Sequence, residues 1–200
     1  MTTWINTTMK NDHYLIRGQR IHNQLDKFVL CEQSTFSDLE QNVLNFIPVS
    51  AKRQNAIDPV RIVKLELLPF IGTKNLNVIG LASSDGTNYN TSIIFNNVEF
   101  SNENLPDNVT FTAKDGEEYN MNAIHLTAHT CRVRCNCLDF YYRFSYFNAK
   151  DKSLIGRAPK PYQKVQGSNR GPVNPKQVPG VCKHLLSLVK ALNHAGIVNY

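Results

Sequence analysis

Four of the five cysteines lie in two short stretches, CRVRCNCLDF at residues 131–140 and PGVCKHLLSL at residues 179–188. Cys135 and Cys137 flank a single residue, and Cys182 and His184 repeat that one-residue gap. The two pairs are 44 residues apart, so the pattern is C-x-C, 44 residues, then C-x-H. In an extended or knuckle backbone, both side chains of such a pair can face one centre. The pattern predicts that all four side chains share one metal ion.

Three thiolates and one imidazole are the donor set of structural Zn²⁺ sites. A complete tetrahedral set leaves no open position for a reactive water, so we expect the ion to stabilise the fold and not to catalyse. Pro179-Gly180 predicts a turn that places Cys182 at a helix N-terminus, where the helix dipole favours a thiolate. The remaining charge of about −1 on the centre is expected to be offset by the neighbouring basic residues Arg132, Arg134 and Lys183.

Other potential ligands lie near this pattern. Cys131 precedes Cys135 by four residues and competes as a ligand, but a strand residue that faces the core is the preferred interpretation. His125 and His129 are also four apart, and no carboxylate is spaced to complete a second metal site with them. We therefore interpret both histidines as core or surface residues.

The positive charge of the chain is concentrated in its last third. Residues 131–200 hold 12 Lys and Arg against two Asp, a net charge of +10, whereas the whole chain carries +6. Such a basic region suits contact with nucleic acid or with an acidic protein surface, and a solvated surface is the alternative. Residues 150–181 read as a long loop rich in Pro, Gly and basic residues. Within it we predict the partner-binding residues Lys160, Lys164 and Arg170.

The sequence predicts an α+β fold with a mainly antiparallel β region, a zinc knuckle and a C-terminal helix. Residues 1–58 are expected to hold strands and one helix that Ser34 or Thr35 caps. Residues 59–130 read as antiparallel strands, with Asp85-Gly86 as the turn of a hairpin. Residues 131–200 form the zinc module, which ends in a helix with apolar residues at helical spacing.

No enzyme signature accompanies the metal pattern. The chain has neither a phosphate-binding G-x-x-x-x-G-K-[ST] loop nor a G-x-S-x-G elbow, and its last third holds two isolated acids. We therefore predict no enzyme and no small-molecule substrate. The N-terminal residues are polar, and no apolar stretch is long enough to cross a bilayer, so neither a signal peptide nor a membrane contact is expected. The aromatic stretch LDFYYRFSYF predicts packing over the zinc site, and base stacking is the alternative.

The cysteine pattern, with Phe140 three residues after Cys137 and an apolar helix after His184, resembles the SWIM-type zinc finger. The longer segments CNCLDFYYRFSYFNA and NPKQVPGVCKHLLSLVKAL, with Gly156 between them, resemble a SWIM-like structural protein of tailed bacteriophages. Upstream, IGLASSDGTNYNTSIIFNNVEF is similar to the β-hairpin region of that family, so the resemblance spans roughly residues 75–195. The 44-residue spacer is longer than in ordinary SWIM domains and fits the phage variant better.

This resemblance implies a structural virion protein in the neck or tail region, or at the head-to-tail connector. It also implies a homo-oligomeric ring that contacts other virion proteins or the exiting DNA. Such a protein would reside in the host cytoplasm during assembly. A free nucleic-acid-binding zinc module is the alternative function. These expectations follow from the resemblance and not from composition or spacing.

Overall fold

The computed structural model describes residues 33–44, 60–103, 108–163, 166–167 and 172–200. Its helices are α1 (Phe36–Leu44), α2 (Leu138–Arg143), α3 (Ser145–Lys150) and α4 (Lys183–His194). Its strands are β1 (Arg61–Phe70), β2 (Asn75–Ser84), β3 (Thr87–Phe95), β4 (Phe100–Ser101), β5 (Asn108–Thr112), β6 (Glu118–Asn122), β7 (Ile124–His125), β8 (Cys131–Cys135) and β9 (Val198–Asn199). The α+β prediction, with antiparallel sheets and a C-terminal helix, is confirmed.

Helix α1 begins where the sequence predicts it. The Thr35 hydroxyl accepts a hydrogen bond from the Asp38 N–H at 3.2 Å, and the Asp38 carboxylate accepts one from the Thr35 N–H at 3.0 Å. This reciprocal capping satisfies free N–H groups at the helix start. The apolar residues at helical spacing, Phe36, Leu39 and Val43, are all buried. The strands predicted before residue 33 lie outside the described residues.

The main sheet has four strands in the order β1-β2-β3-β8, and every neighbouring pair is antiparallel. Strands β2 and β3 form the predicted hairpin, and Asp85 and Gly86 both take a positive φ in its turn. Buried residues alternate along β2, β3 and β8, so one face of the sheet carries the core. Strand β8 is thereby a part of the same sheet as the preceding hairpin.

Helix α4 covers that buried face. Its buried apolar residues repeat at helical spacing: Leu185, Leu188, Val189 and Leu192. Leu188 lies over Gly80 of β2, and a methyl group added to Gly80 would be 2.6 Å from the Leu188 Cδ1. Gly80 therefore permits a close approach between helix and sheet. The helix ends at His194 with Ala195 as its C-cap, and Gly196 continues the chain at a φ of 73°. No helix within the described residues has the length and apolar character that a membrane span requires.

Two small sheets complete the β structure. Strands β4, β6 and β5 form an antiparallel sheet. It contains the hairpin that the sequence predicts from VTFTA, a turn at residues 114–117 and EYNMNAI. Strand β7 pairs in parallel with β9, which brings the last described residues beside residue 124. Alternating residues in the stretch HLTAHTCRVRC at 125–135 predict one strand that leads to the cysteines, and this prediction is wrong. A turn after His125 separates β7 from β8, with the His129 N–H bonded to the His125 carbonyl at 2.9 Å.

The segment between α3 and α4 contains neither helix nor strand in its described part, as the sequence predicts for a long loop. Two buried asparagines fix it to the rest of the chain. Asn148 accepts from the Gly180 N–H at 2.8 Å and donates to the Gly180 carbonyl at 3.1 Å. Asn174 donates to the carbonyls of Arg143 and Val178 at 3.0 and 2.8 Å. Side-chain amides thus replace the backbone pairing that this segment lacks.

Candidate metal centre

The structure brings the four predicted ligands together. The ligand atoms of Cys135, Cys137, Cys182 and His184 all lie within 4.8 Å of one another, and all four residues are buried. The His184 Nδ1 lies 3.7 Å from the Cys135 Sγ and 3.9 Å from the Cys182 Sγ. Zinc–sulfur and zinc–nitrogen bonds of ordinary length predict an edge of about 3.6 Å in a tetrahedral site. The cluster therefore fits a single metal ion.

Strand register places the first ligand. Cys135 pairs with Thr91 at the end of β8, on the buried face that also carries Val133 and Cys131. Asn136 then bends the chain. Its N–H donates to the Asn90 carbonyl at 3.1 Å, and its side-chain oxygen accepts from the Asn90 N–H at 3.0 Å. These two hydrogen bonds to β3 hold the bend between Cys135 and Cys137 in place.

The other ligands occupy helix starts. Cys137 is the N-cap of α2, and its sulfur accepts a hydrogen bond from the Phe140 N–H at 3.3 Å. The Cys135 sulfur accepts from the Cys137 N–H at 3.5 Å. Cys182 is the N-cap of α4, as predicted, and His184 follows in its first turn. Backbone N–H groups therefore contact the sulfurs of Cys135 and Cys137, and the N-terminal position of Cys182 on α4 favours negative charge on its sulfur.

The basic residues beside the ligands make other contacts than those predicted. Arg134 donates to the Ile155 carbonyl at 2.6 Å, on the strand face opposite the cysteines. Lys183 donates to the Ser84 hydroxyl at 2.8 Å and lies 3.7 Å from the Asp85 carboxylate. Arg132 alternates with the buried Cys131 and Val133, so it too lies on the outer face. Backbone N–H groups, and not these side chains, contact the thiols.

The three thiols lie so close together that each one changes the pKa of the others. Hydrogen bonds from Cys135 and Cys182 lower the pKa of Cys137 far below its ordinary value. The hydrogen bond to Cys137 raises the pKa of Cys135 to about 12, and burial raises that of Cys182. Three thiolates cannot accumulate in a buried site without a cation to balance them. A metal ion would supply that charge and release the remaining thiol protons.

The His184 ring is held by packing. Tyr89 of β3 stacks on it, with ring centroids 4.1 Å apart and planes 25° apart. Its Nδ1 faces the sulfurs and is the atom placed to bind a metal. Its Nε2 is buried and has no hydrogen-bond partner within the described residues. Tyr89 is therefore the group that orients this ligand, a role that the sequence analysis did not assign.

The remaining candidates lie away from the centre or outside the described residues. Cys131 is buried in the core and pairs with Phe95, so its interpretation as a core residue is confirmed. His125 is exposed and His129 is half-buried, and their rings stack with centroids 6.3 Å apart. Lys160 is exposed in the loop, whereas Lys164 and Arg170 lie outside the described residues.

Comparison with known proteins adds no family to this description. No protein-family model, curated protein or solved structure matches the chain. The SWIM-like resemblance therefore stays a prediction. Among the described residues, the Cys₃His cluster is the one group of three or more cysteine, histidine or acidic side chains that could hold a metal.

Proposed function

We propose that Cys135, Cys137, Cys182 and His184 bind one structural Zn²⁺ ion. The observation that carries this proposal is the burial and convergence of four zinc-type ligands from β8, the start of α2 and the start of α4. Thiolate and imidazole ligands in this ratio select Zn²⁺ over hard cations, which prefer oxygen. Four protein ligands fill a tetrahedral shell, so the ion would hold three segments together and leave no position for substrate.

We further propose that the protein is a non-enzymatic structural component of a tailed-phage virion, in the neck, tail or connector region. The sequence resemblance around the cysteine pairs supports this assignment. The zinc site would fix both ends of the long basic loop at residues 150–181. That loop would contact an acidic neighbouring subunit or the exiting DNA. A nucleic-acid-binding zinc module is the second candidate, and the net charge of +10 over residues 131–200 favours it.

Assembly state separates the two candidates. Zinc content and solution mass are measured on the same purified protein, by elemental analysis and by light scattering. One zinc per chain in a ring-sized particle supports the virion subunit. A zinc-loaded monomer whose DNA affinity falls steeply with salt supports the nucleic-acid module. A folded chain that retains no metal contradicts both.

The predicted partner residues are tested by changing Lys160, Lys164 and Arg170 to Ser together. We expect weaker assembly or weaker DNA binding with an unchanged melting temperature, since single surface charges contribute little to folding. The matched control changes Lys64, Lys74 and Lys114, which removes the same charge from outside the basic third. Equal effects in the two triple variants would show that only net charge matters.

A further inference from the structure

Helix α2 presents an apolar face to solvent. Leu138, Tyr141 and Tyr142 are 70%, 49% and 46% exposed, and their i, i+3 and i+4 spacing puts them on one side of the helix. The opposite side packs inward through Phe140 and Arg143, which are buried. The aromatic stretch predicted to pack over the metal site is thus divided: Phe140 and Phe144 enter the core, whereas Tyr141 and Tyr142 are exposed.

A third tyrosine joins this face from the long loop. Tyr162 is 46% exposed and meets Tyr142 edge to face, with centroids 5.7 Å apart. Tyr142 in turn meets Tyr141 edge to face at 5.0 Å. We name these three residues the tyrosine surface. Contiguous exposed aromatic groups of this kind mark sites of interaction.

Exposed cations lie close in sequence to the tyrosine surface. Arg157 and Lys160 are exposed in the same loop, and Lys160 is within about 7 Å of chain from Tyr162. Asp139 precedes Tyr142 by three residues on α2, and its 38% exposed carboxylate lies 3.3 Å from the Arg143 guanidinium. Because Arg143 balances Asp139, the charges of α2 and of residues 157–162 sum to +2.

We propose that the tyrosine surface binds single-stranded nucleic acid, with bases stacked on Tyr141, Tyr142 and Tyr162 and phosphates paired with Arg157 and Lys160. A single strand offers a flat base and an anion in every nucleotide, and this surface offers aromatic rings and cations to match them. A duplex hides its base faces in the stack, so it can use the cations but not the rings. An acidic protein would match the charges and leave the rings without a specific partner.

This inference deepens the nucleic-acid-binding candidate and rests on the proposed metal centre. Cys137 is both a predicted ligand and the N-cap of α2, so the ion would fix the helix that presents two of the three tyrosines. The loop that carries Tyr162 ends at Cys182, another predicted ligand. Zinc content is therefore measured on every sample used for binding.

The test uses the full chain loaded with zinc and a fluorescein-labelled oligothymidine of about 20 nucleotides, long enough for more than one site of this kind. Fluorescence anisotropy gives the affinity at low salt, with a duplex of equal length as the competitor. We expect the single strand to bind more tightly than the duplex. The double variant Tyr141→Ala/Tyr142→Ala is expected to lose about ten-fold in affinity for each stacked base.

Two further variants distinguish stacking from general apolar contact. Tyr142→Trp keeps a π face and should retain affinity, whereas Tyr142→Leu keeps an apolar side chain and should lose it. Phe70→Ala is the control: it removes an aromatic side chain that is 50% exposed on β1, at the other edge of the main sheet. Its affinity should equal that of the unchanged protein.

Three results would overturn the inference. They are a zinc-loaded protein that binds no oligothymidine at low salt, equal affinity for single strand and duplex, and a Tyr142→Leu variant that binds as well as Tyr142→Trp. The last result would indicate general apolar contact instead of base stacking. A purified chain without metal contradicts the proposed metal centre instead, so the two failures are separable.

Discussion

The first three strands of the main sheet and the region that holds the metal ligands are stabilised in different ways. Strands β1, β2 and β3 follow one another through short turns, and each pairs with its neighbour in sequence. We call residues 61–95 the meander. Residues 131–200 form the metal module, in which ligands from 135 and 184 meet after a long segment without helix or strand in its described part. Local sequence determines the meander, whereas the metal module depends on contacts between residues distant in sequence.

This difference has a thermodynamic consequence. Hairpins close small loops and gain backbone hydrogen bonds at once, while a long loop loses more chain entropy on closure. In the metal module an ion that binds only the folded state would offset that entropy. Removing the metal should therefore loosen the metal module first and the meander last.

The largest expected effect comes from removing a ligand. Cys137→Ala or His184→Ala should abolish metal retention and destabilise the fold by on the order of 5 kcal/mol or more, since structural zinc supplies folding free energy. Hydrogen exchange read by mass spectrometry should show α2 and α4 losing protection while β2 and β3 keep more of theirs. Cooperative, fully protected folding in both variants would remove the basis for the comparison.

Cys131→Ala is the matched control for those variants. Cys131 is as buried as the ligands but lies outside the cluster. The change deletes one buried sulfur and should lower stability by about 1–2 kcal/mol, as small cavities in a core do. Metal content, measured by elemental analysis, should stay the same. Loss of metal in this control would mean that Cys131 is a ligand.

A second variant sharpens the comparison within the metal module. Asn148→Ala leaves both the N–H and the carbonyl of Gly180 without their side-chain partners, in a buried position. Each unsatisfied buried group costs about 1–3 kcal/mol, so the midpoint of urea unfolding should fall clearly. The control is Asn88→Ala on the exposed part of β3. Equal midpoints in the two variants would show that the asparagine clamp contributes nothing.

The contact between α4 and the sheet joins the two regions. A methyl group at Gly80 would meet Leu188 Cδ1 at 2.6 Å and Thr91 Oγ1 at 2.8 Å, so Gly80→Ala must displace the helix or the strand. Overpacking of this kind costs about 1–3 kcal/mol. Gly72→Ala is the control, because nothing lies within 4 Å of its added methyl group. Thermal unfolding compares the two, and equal melting temperatures would contradict the close packing.

The sequence predicts the meander and the ligand set better than it predicts the contacts that fix the long loop. Asp85-Gly86 indicates the β2–β3 turn, and alternating residues indicate which face is buried, because both signals are local. The four ligands are recognisable because cysteine and histidine spacing reflects coordination geometry. The capping of α1 by Thr35 and Asp38 depends in the same way on residues close together in the sequence.

What the sequence did not predict depends on tertiary contacts. Asn148 and Asn174 look like ordinary loop or helix residues, and only the folded chain shows which carbonyls they satisfy. The stacking of Tyr89 on His184 joins a strand to a helix 95 positions later in the sequence. The sequence does not show that Tyr141 and Tyr142 are exposed, because a run of aromatic residues is equally compatible with a strand, a helix or a core segment. The parallel pairing of β7 with β9 lacks a local signal as well.

The smallest expected effect lies on the surface of the meander. Hydrogen bonds from Lys114 and Lys64 lower the pKa of Glu66 below its ordinary value of 4.5. A carboxyl whose pKa falls on folding stabilises the fold above its unfolded pKa, and that contribution is lost as the pH falls through its folded pKa. Glu66→Gln should therefore lower the urea midpoint slightly at pH 7 and not at about pH 3. A difference that persists at the lower pH would contradict the ion-pair origin.

The most direct test of the central claim is the metal stoichiometry of the native protein by native mass spectrometry. The ligand cluster predicts one zinc ion per chain, with the thiols of Cys135, Cys137 and Cys182 protected from alkylation until the metal is chelated. His184→Ala should abolish both the zinc and the protection. A folded native chain without zinc, whose three thiols react freely, would contradict the claim that a metal ion holds this module together.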